Sequence, residues 1–243
     1  METKPKYLIK GGKRLDGRKL EEWRDIEIKT GVIPNADGSC QVNFGKTKVI
    51  ASVYGPRELH PKHMVMSDKA LVRARYDMLS FSVEDRKRPG PGRREIEISK
   101  VTAEALRDVV LVEKFPRAVI DVFVTVIQAD ASTRITGLNA ASVALADAGI
   151  PMKGLVTGVT FGKIYDEKGK GYMAVDVYKP EDQWGNADVA YARSIATNEV
   201  VLLQMDGDVT KEEFFQGKEM ADKAIEYTYQ QQLKALKAKY EGD

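Results

Sequence analysis

The sequence predicts an α+β protein with two related halves, each made of strands followed by a helix. In both halves, short segments alternate between apolar and polar residues, a pattern typical of strands. Each half then continues with a segment whose apolar residues recur every three or four positions, a pattern typical of amphipathic helices. Strands followed by helices, rather than their strict alternation, favour the α+β class.

The composition limits the possible classes of protein. The 243 residues suffice for one large domain or two small ones packed together, and 38 basic residues nearly balance 36 acidic ones. A site for a polyanion must therefore come from local clustering. Cys40 is the only cysteine, which excludes an intramolecular disulfide and an all-cysteine metal site. No apolar run reaches the length of about 18 residues that a membrane span needs, and the N-terminus lacks an apolar signal segment. We therefore expect a cytoplasmic protein without a membrane partner.

The N-terminal half, residues 1–151, begins with a polar arm and continues with strands. Residues 40–44 and 49–54 are expected to form a hairpin, and residues 70–83 a further strand. A helix is expected over residues 95–115. A long apolar strand over residues 118–127 then leads to a second helix, residues 135–147, which ends before Gly149 and Pro151.

A basic loop precedes the first of these helices. Five of the ten residues from 85 to 94 are Arg or Lys, and the last two, Arg93 and Arg94, lie where the helix begins. Basic residues at a helix N-terminus oppose the helix dipole. Their placement favours a bound anion, which guanidinium groups and backbone N–H groups would hold together. A mobile charged loop is the alternative.

The second helix is preceded by Ser132, Thr133 and Arg134. A Ser or Thr at this place normally caps the helix, with a contribution to stability of roughly 1 kcal/mol. Two hydroxyl groups and a guanidinium at a helix N-terminus can equally bind phosphate. The residues alone leave both interpretations open.

The C-terminal half, residues 152–243, repeats the order of strands and helix. Strands are expected over residues 154–162, 171–178, 189–195 and 200–203, a turn over residues 204–208, and a long helix over residues 210–240.

Two carboxylates, Asp182 and Asp188, lie between two of these strands, in a segment that we expect to be a loop. They are six residues apart and cannot share one face of a helix. In a loop that doubles back, however, both carboxylate side chains could lie close to the same point. Such a pair suits Mg²⁺, or proton transfer to a leaving oxygen. A solvated acidic turn is the alternative.

Several of these motifs, in the same order, resemble the RNase PH family, and within it the catalytic ring subunits of archaeal exosomes. The resemblance covers nearly the whole chain and implies the RNase PH-like fold, with mixed sheets and helices packed against them. Residues 1–151 would be its N-terminal part and residues 152–243 its C-terminal part. The motifs are Arg-Leu-Asp-Gly-Arg at 14–18, Arg-Arg-Glu-Ile-Glu at 93–97, Gln-Ala-Asp-Ala-Ser-Thr-Arg at 128–134, Ala-Leu-Ala-Asp-Ala-Gly-Ile-Pro-Met at 144–152, and Glu181-Asp182 with Asp188.

The resemblance implies a 3′→5′ exoribonuclease that uses inorganic phosphate as co-substrate and releases nucleoside diphosphates. The reverse reaction would add nucleotides to RNA. The implied partners are RNA, a catalytically silent RNase PH-like paralogue that alternates with this chain in a hexameric ring, and RNA-binding cap subunits.

The family's functional residues fall on matching positions of this sequence. Asp182 matches the catalytic carboxylate and Asp188 its companion, and together they would hold Mg²⁺ or Mn²⁺. Two departures are visible: Ser132 stands where the family usually has Gly, and Val189-Ala190 replaces the common Met-Pro. The implied phosphate ligands are Ser132, Thr133, Arg134, Arg93 and Arg94, and the implied RNA ligands are Arg93, Arg94, Lys62 and His63.

Three alternatives remain. One is a stand-alone RNase PH that trims tRNA 3′ ends as a homohexamer. Another is a non-catalytic ring subunit, which would lack the Asp182 carboxylate or the Arg134 guanidinium, although this chain has both. The third is an RNA-binding module without chemistry, which would leave the acidic pair unexplained because carboxylates repel RNA.

Overall fold

The computed structural model describes residues 4–241 and confirms the α+β class. Two sheets and four α-helices make up most of this range. The helices are α1 (Arg93–Val109), α2 (Thr133–Asp147), α3 (Lys179–Trp184) and α4 (Lys211–Tyr240). The strands are β1 (Ile9–Lys10), β2 (Lys13–Arg14), β3 (Ile26–Thr30), β4 (Gly38–Phe44), β5 (Thr47–Glu58), β6 (Leu71–Met78), β7 (Ala118–Gln128), β8 (Val156–Tyr165), β9 (Gly171–Val175), β10 (Ala187–Ser194) and β11 (Val200–Gly207).

The N-terminal sheet has five strands in the order β3-β4-β5-β7-β6. The expected hairpin is β4–β5, in which Val42 pairs with Val49. All pairs are antiparallel except β6–β7. Because a parallel pair needs a crossover connection, the chain passes through the basic loop and α1 between these two strands. The end of β7 therefore leads directly to the N-terminus of α2.

The C-terminal sheet has four antiparallel strands in the order β11-β10-β8-β9. The turn expected over residues 204–208 is wrong, because β11 continues to Gly207. Gly207 has a φ of 99°, and a Cβ there would lie 2.1 Å from the carbonyl oxygen of Asn186. Glycine thus lets the strand end against the segment that precedes β10.

Helix α2 lies between the two sheets and packs on β4, β5 and β8. Small residues such as Ala140, Ala141 and Ala144 are fully buried and allow this close packing. One hydrophobic core consequently extends through both halves, from Val122 of β7 to Phe161 of β8. The N-terminus of α2 is therefore held in a fixed position between the sheets. The division at residue 151 stays a prediction.

The long helix α4 matches the expected helix closely. It is capped by the preceding residue, Thr210, whose hydroxyl accepts a hydrogen bond of 3.3 Å from the Glu213 N–H. Within residues 4–241, no helix is long and apolar enough to cross a membrane. Helix α1 ends at Val109, earlier than expected, because Val110 is extended and forms a bridge with Met152.

Candidate active site

Two arginines of the N-terminal arm hold the surroundings of the site together. Arg14 is buried and donates a 2.7 Å hydrogen bond from Nε to Glu181, and further bonds to the carbonyl oxygens of Val175 and Asp176. Arg24 donates from Nε and Nη2 to the Asp176 carboxylate at 2.8 and 2.6 Å. Burial alone would raise the pKa of Asp176, but the charge of Arg24 and its hydrogen bonds outweigh it and lower the pKa. These ion pairs fix the segment after β9 against the N-terminal arm.

The loop between β7 and α2 is fastened at two points. Thr47 Oγ1 accepts from the Asp130 N–H at 3.0 Å and donates to the Ala131 carbonyl at 2.8 Å, while Arg24 Nη1 donates to the Asp130 carbonyl at 2.6 Å. Ala131 and Ser132 have φ angles of 60° and 57°, a left-handed conformation that costs about 1–2 kcal/mol per non-glycine residue. Backbone strain of this kind is concentrated at functional sites.

The side chain of Ser132 departs from the sequence-based expectation. Ser132 precedes the first residue of α2, yet its hydroxyl neither caps the helix nor faces outward. The hydroxyl is buried, shares a 2.7 Å hydrogen bond with Thr160 Oγ1, and donates to the Val177 carbonyl at 3.0 Å. The left-handed backbone explains why glycine suits this position. The hydroxyl that serine adds forms hydrogen bonds inside the protein. Ser132 can therefore offer a phosphate only its backbone.

The N-terminus of α2 is open to an anion. In the part of the chain that the structure describes, no side chain caps this helix. Its first internal hydrogen bond, 2.9 Å long, runs from the Thr136 N–H to the Ser132 carbonyl, which leaves the first-turn N–H groups for another acceptor. Together with the helix dipole, these groups favour a bound phosphate.

Two of the basic residues expected near phosphate, Arg94 and Arg134, lie close to this helix terminus and to the carboxylates. Arg93 and Arg94 occupy the first turn of α1, as expected, and both are exposed. Arg134 is the second residue of α2; its Nη2 lies 3.8 Å from Glu97 of α1, and its Nε is buried without a hydrogen-bond partner. The charges of Arg94 and Arg134 both lower the pKa values of Asp182 and Asp188. Two helix N-termini, two arginines and two carboxylates therefore meet at one place.

The segment that carries Asp182 is helical, so the expected loop is wrong. Pro180 lies in the first turn of α3, where a missing N–H costs nothing, and Glu181 accepts from the Tyr178 N–H at 3.2 Å. Arg14 holds Glu181 inward, and the next residue, Asp182, lies about 100° further around the helix and is exposed. Desolvation by the surrounding protein, followed by the charge of Asp188, raises the pKa of Asp182 to about 6. Asp182 keeps an exposed surface, so solvent screens part of this effect.

Asp188 lies on β10 and has a third carboxylate beside it. Its partner in the β10–β11 register is Asp206, which the sequence reading placed in a turn. Desolvation, followed by the charge of Asp206, raises the pKa of Asp188. Alternation along β11 was the signal that could have identified Asp206, but the Asp-Gly-Asp sequence that begins with Asp206 suggested a turn.

Lys62 and His63 lie far from this cluster. They form an exposed turn after β5, whose last residue, Glu58, pairs with Ala118 at the start of β7. The phosphate loop follows the other end of β7, about 33 Å away at the usual rise of a strand. Their assignment to RNA stays a prediction, and any role would concern RNA several nucleotides from the reacting bond.

No cluster of three or more His, Cys, Asp or Glu side chains within residues 4–241 has the geometry of a metal site. Two carboxylates are nevertheless sufficient for Mg²⁺, which commonly uses one or two carboxylates together with water and substrate phosphates. The mutual repulsion of Asp182 and Asp188 is the feature that a cation would relieve. The donor set therefore fits Mg²⁺ or Mn²⁺.

Comparison with known proteins identifies the family of the chain. Residues 22–151 match the family model described as RNase PH, 3′ exoribonuclease family, domain 1. The chain is 52% identical over 235 residues to exosome complex component Rrp41 of Pyrococcus furiosus, covering 97% of this chain and 92% of that protein. It is 50% identical over 244 residues to exosome complex component Rrp41 of Methanopyrus kandleri, covering 100% of both.

The crystal structure of rice Rrp46 has the same fold, with a TM-score of 0.80 and 22% identity; the match covers 92% of this chain and all of that one. The chain belongs to the RNase PH, 3′ exoribonuclease family.

Proposed function

We propose that this chain is the catalytic subunit of an archaeal exosome ring and degrades RNA from its 3′ end by phosphorolysis. The observation that carries the proposal is the meeting of Arg94 and Arg134 with the Asp182–Asp188 pair at the uncapped N-terminus of α2. An RNA-binding module would need the arginines but not the carboxylates. A hydrolase would not need a site for a second anion beside the RNA backbone.

Electrostatic repulsion is the central difficulty of this reaction, because a phosphate anion must attack an anionic phosphodiester. Arg94, Arg134 and the first-turn N–H groups of α2 would reduce that repulsion and align the two anions. An oxygen of inorganic phosphate forms a bond to the phosphorus of the last phosphodiester, and the bond to the 3′-oxygen of the preceding nucleotide breaks. The terminal nucleotide leaves as a nucleoside diphosphate, and the 3′-oxygen takes up a proton.

Asp182 would act on the leaving oxygen. Its raised pKa, about 6, leaves a protonated fraction near neutral pH that can donate to the 3′-oxygen. In the alternative role, Asp182 would be deprotonated and would hold Mg²⁺ or Mn²⁺ together with Asp188, and the bound cation would stabilise negative charge on the leaving side. The same groups would serve the reverse reaction, in which diphosphates extend the RNA.

The proposal includes the partners that the family resemblance implies, namely a silent RNase PH-like paralogue in a hexameric ring and RNA-binding caps. It also includes a cytoplasmic location. Near-complete coverage of relatives named as exosome complex components supports it. A homohexameric RNase PH would instead form an active ring from this chain alone.

The test is degradation of a poly(A) RNA labelled at its internal phosphates by the chain assembled with its partner, with and without inorganic phosphate, followed by separation of the released nucleotides. We expect the wild-type assembly to release nucleoside diphosphates only when phosphate is present. The Asp182→Ala variant should release no nucleotides under either condition. Monophosphates without added phosphate would show hydrolysis and overturn the proposal. RNA binding without any product would assign the chain to the silent subunits.

A further inference from the structure

A buried tyrosine hydroxyl without a partner lies behind the proposed phosphate site. Tyr76 of β6 is only 1% exposed, and its hydroxyl has no hydrogen-bond partner among the described residues. An unpaired buried hydroxyl lowers the stability of the folded protein, so its presence in a well-packed core calls for a physical reason. Phenylalanine would fill the same space without that cost.

The surroundings of Tyr76 connect it with both helix N-termini. The Tyr76 N–H donates to Ser99 Oγ of α1 at 2.8 Å, which fixes the strand against that helix. Its ring packs against α2 at Gly137, where a Cβ would lie 3.7 Å from Cε2. Burial raises the pKa of Tyr76 to about 12, and the neighbouring Thr133 hydroxyl and Arg94 guanidinium partly offset this. The Thr133 hydroxyl is therefore beside the Tyr76 hydroxyl, although the pair lacks hydrogen-bonding geometry.

We propose that Tyr76 is a positioning residue for inorganic phosphate, whose hydroxyl donates a hydrogen bond to Thr133 Oγ1 when Thr133 donates to the phosphate. This inference rests on the proposed phosphorolytic function. A threonine hydroxyl has one proton and two acceptor lone pairs. When the Thr133 hydroxyl donates its proton to a phosphate oxygen, its own oxygen can still accept a hydrogen bond. The neighbouring Tyr76 hydroxyl can donate that hydrogen bond, because it has no other partner among the described residues.

The arrangement has a consequence for affinity that a purely structural role lacks. Without phosphate the hydroxyl of Tyr76 does not stabilise the protein, because it is buried and has no partner there. Its hydrogen bond forms together with phosphate binding and so adds to phosphate affinity. One such bond corresponds to about 1 kcal/mol, or about a fivefold change in affinity.

The test compares wild type with Tyr76→Phe in the full chain assembled with its partner. We expect the KM for phosphate to rise about fivefold, with kcat at saturating phosphate and the Kd for RNA measured without phosphate unchanged. Thermal unfolding should show an unchanged or higher Tm without phosphate and a smaller increase of Tm on addition of phosphate.

A matched control is Tyr191→Phe, since Tyr191 is also buried but its hydroxyl donates to Asp222 at 3.1 Å. This variant should lose stability while the KM for phosphate stays the same. An unchanged KM and an unchanged phosphate-induced rise of Tm in Tyr76→Phe would overturn the proposal. A wild-type protein that shows no phosphate effect at all would instead contradict the proposed function.

Discussion

Substitution of Asp182 by Asn should make the protein more stable while it removes activity. The surroundings raise the pKa of Asp182 from 3.8 to about 6. Between these values the folded protein keeps a proton that the unfolded chain has lost, so stability falls as pH rises. The full shift corresponds to about 3 kcal/mol. Because Asp182 is exposed and screened, we expect about 1 kcal/mol.

The assay is thermal unfolding followed by circular dichroism from pH 4 to pH 8, without divalent cations. For a chain of this length, about 1 kcal/mol corresponds to an increase of about 2–4 °C in Tm. The difference between Asp182→Asn and wild type should be absent near pH 4, grow as pH approaches 6, and remain constant above pH 7. At pH 7 the variant should yield no diphosphates.

The same substitution at Asp166 provides a control with the opposite sign. Backbone hydrogen bonds from Lys170 and Lys168 lower the pKa of Asp166, so Asp166→Asn should decrease Tm above pH 4. If Asp182→Asn also decreased Tm at pH 8, the electrostatic reasoning about the carboxylate pair would be refuted.

Two further predictions concern the supports of the site. Asp176→Asn removes the nearest counter-charge of the buried Arg24 guanidinium and leaves Asp130, whose Oδ2 lies 3.7 Å from Arg24 Nη1, so it should lower the free energy of unfolding by about 3 kcal/mol, measured by urea denaturation; a loss below 1 kcal/mol would contradict this. Arg94→Gln should weaken RNA binding and reduce the slope of log K against log salt by about 1. Arg107→Gln, at the exposed far end of α1, is the control and should leave both unchanged.

The fold could be predicted largely from the sequence where the apolar pattern was strong. Strand β7 and helices α2 and α4 agree with the expected segments within two residues, because the core imposes one period on each of them. The wrong predictions of secondary structure fall in segments where the contacts of polar side chains determine the backbone conformation. The segment of Asp182 looked like an acidic loop, since the buried partner of Glu181, Arg14, is 167 residues away in sequence.

The charged members of the site could be predicted as residue types, but their roles depend on orientation. Ser132 looked like a cap or a phosphate ligand, and its left-handed backbone turns the hydroxyl into the interior instead. Asp206 and Tyr76 went unnoticed because one pairs with Asp188 across two strands and the other lies in a strand without a distinctive motif. The register that brings Asp206 beside Asp188 and the packing around Tyr76 both depend on residues that are distant in the sequence.

The most direct measurement of the central claim follows the atoms of inorganic phosphate. The assembled protein is incubated with unlabelled RNA and radiolabelled phosphate, and the products are separated by thin-layer chromatography. Phosphorolysis predicts label in the β-phosphate of nucleoside diphosphates, and none of it when Asp182→Asn replaces the wild-type chain. Release of unlabelled mononucleotides would contradict the account.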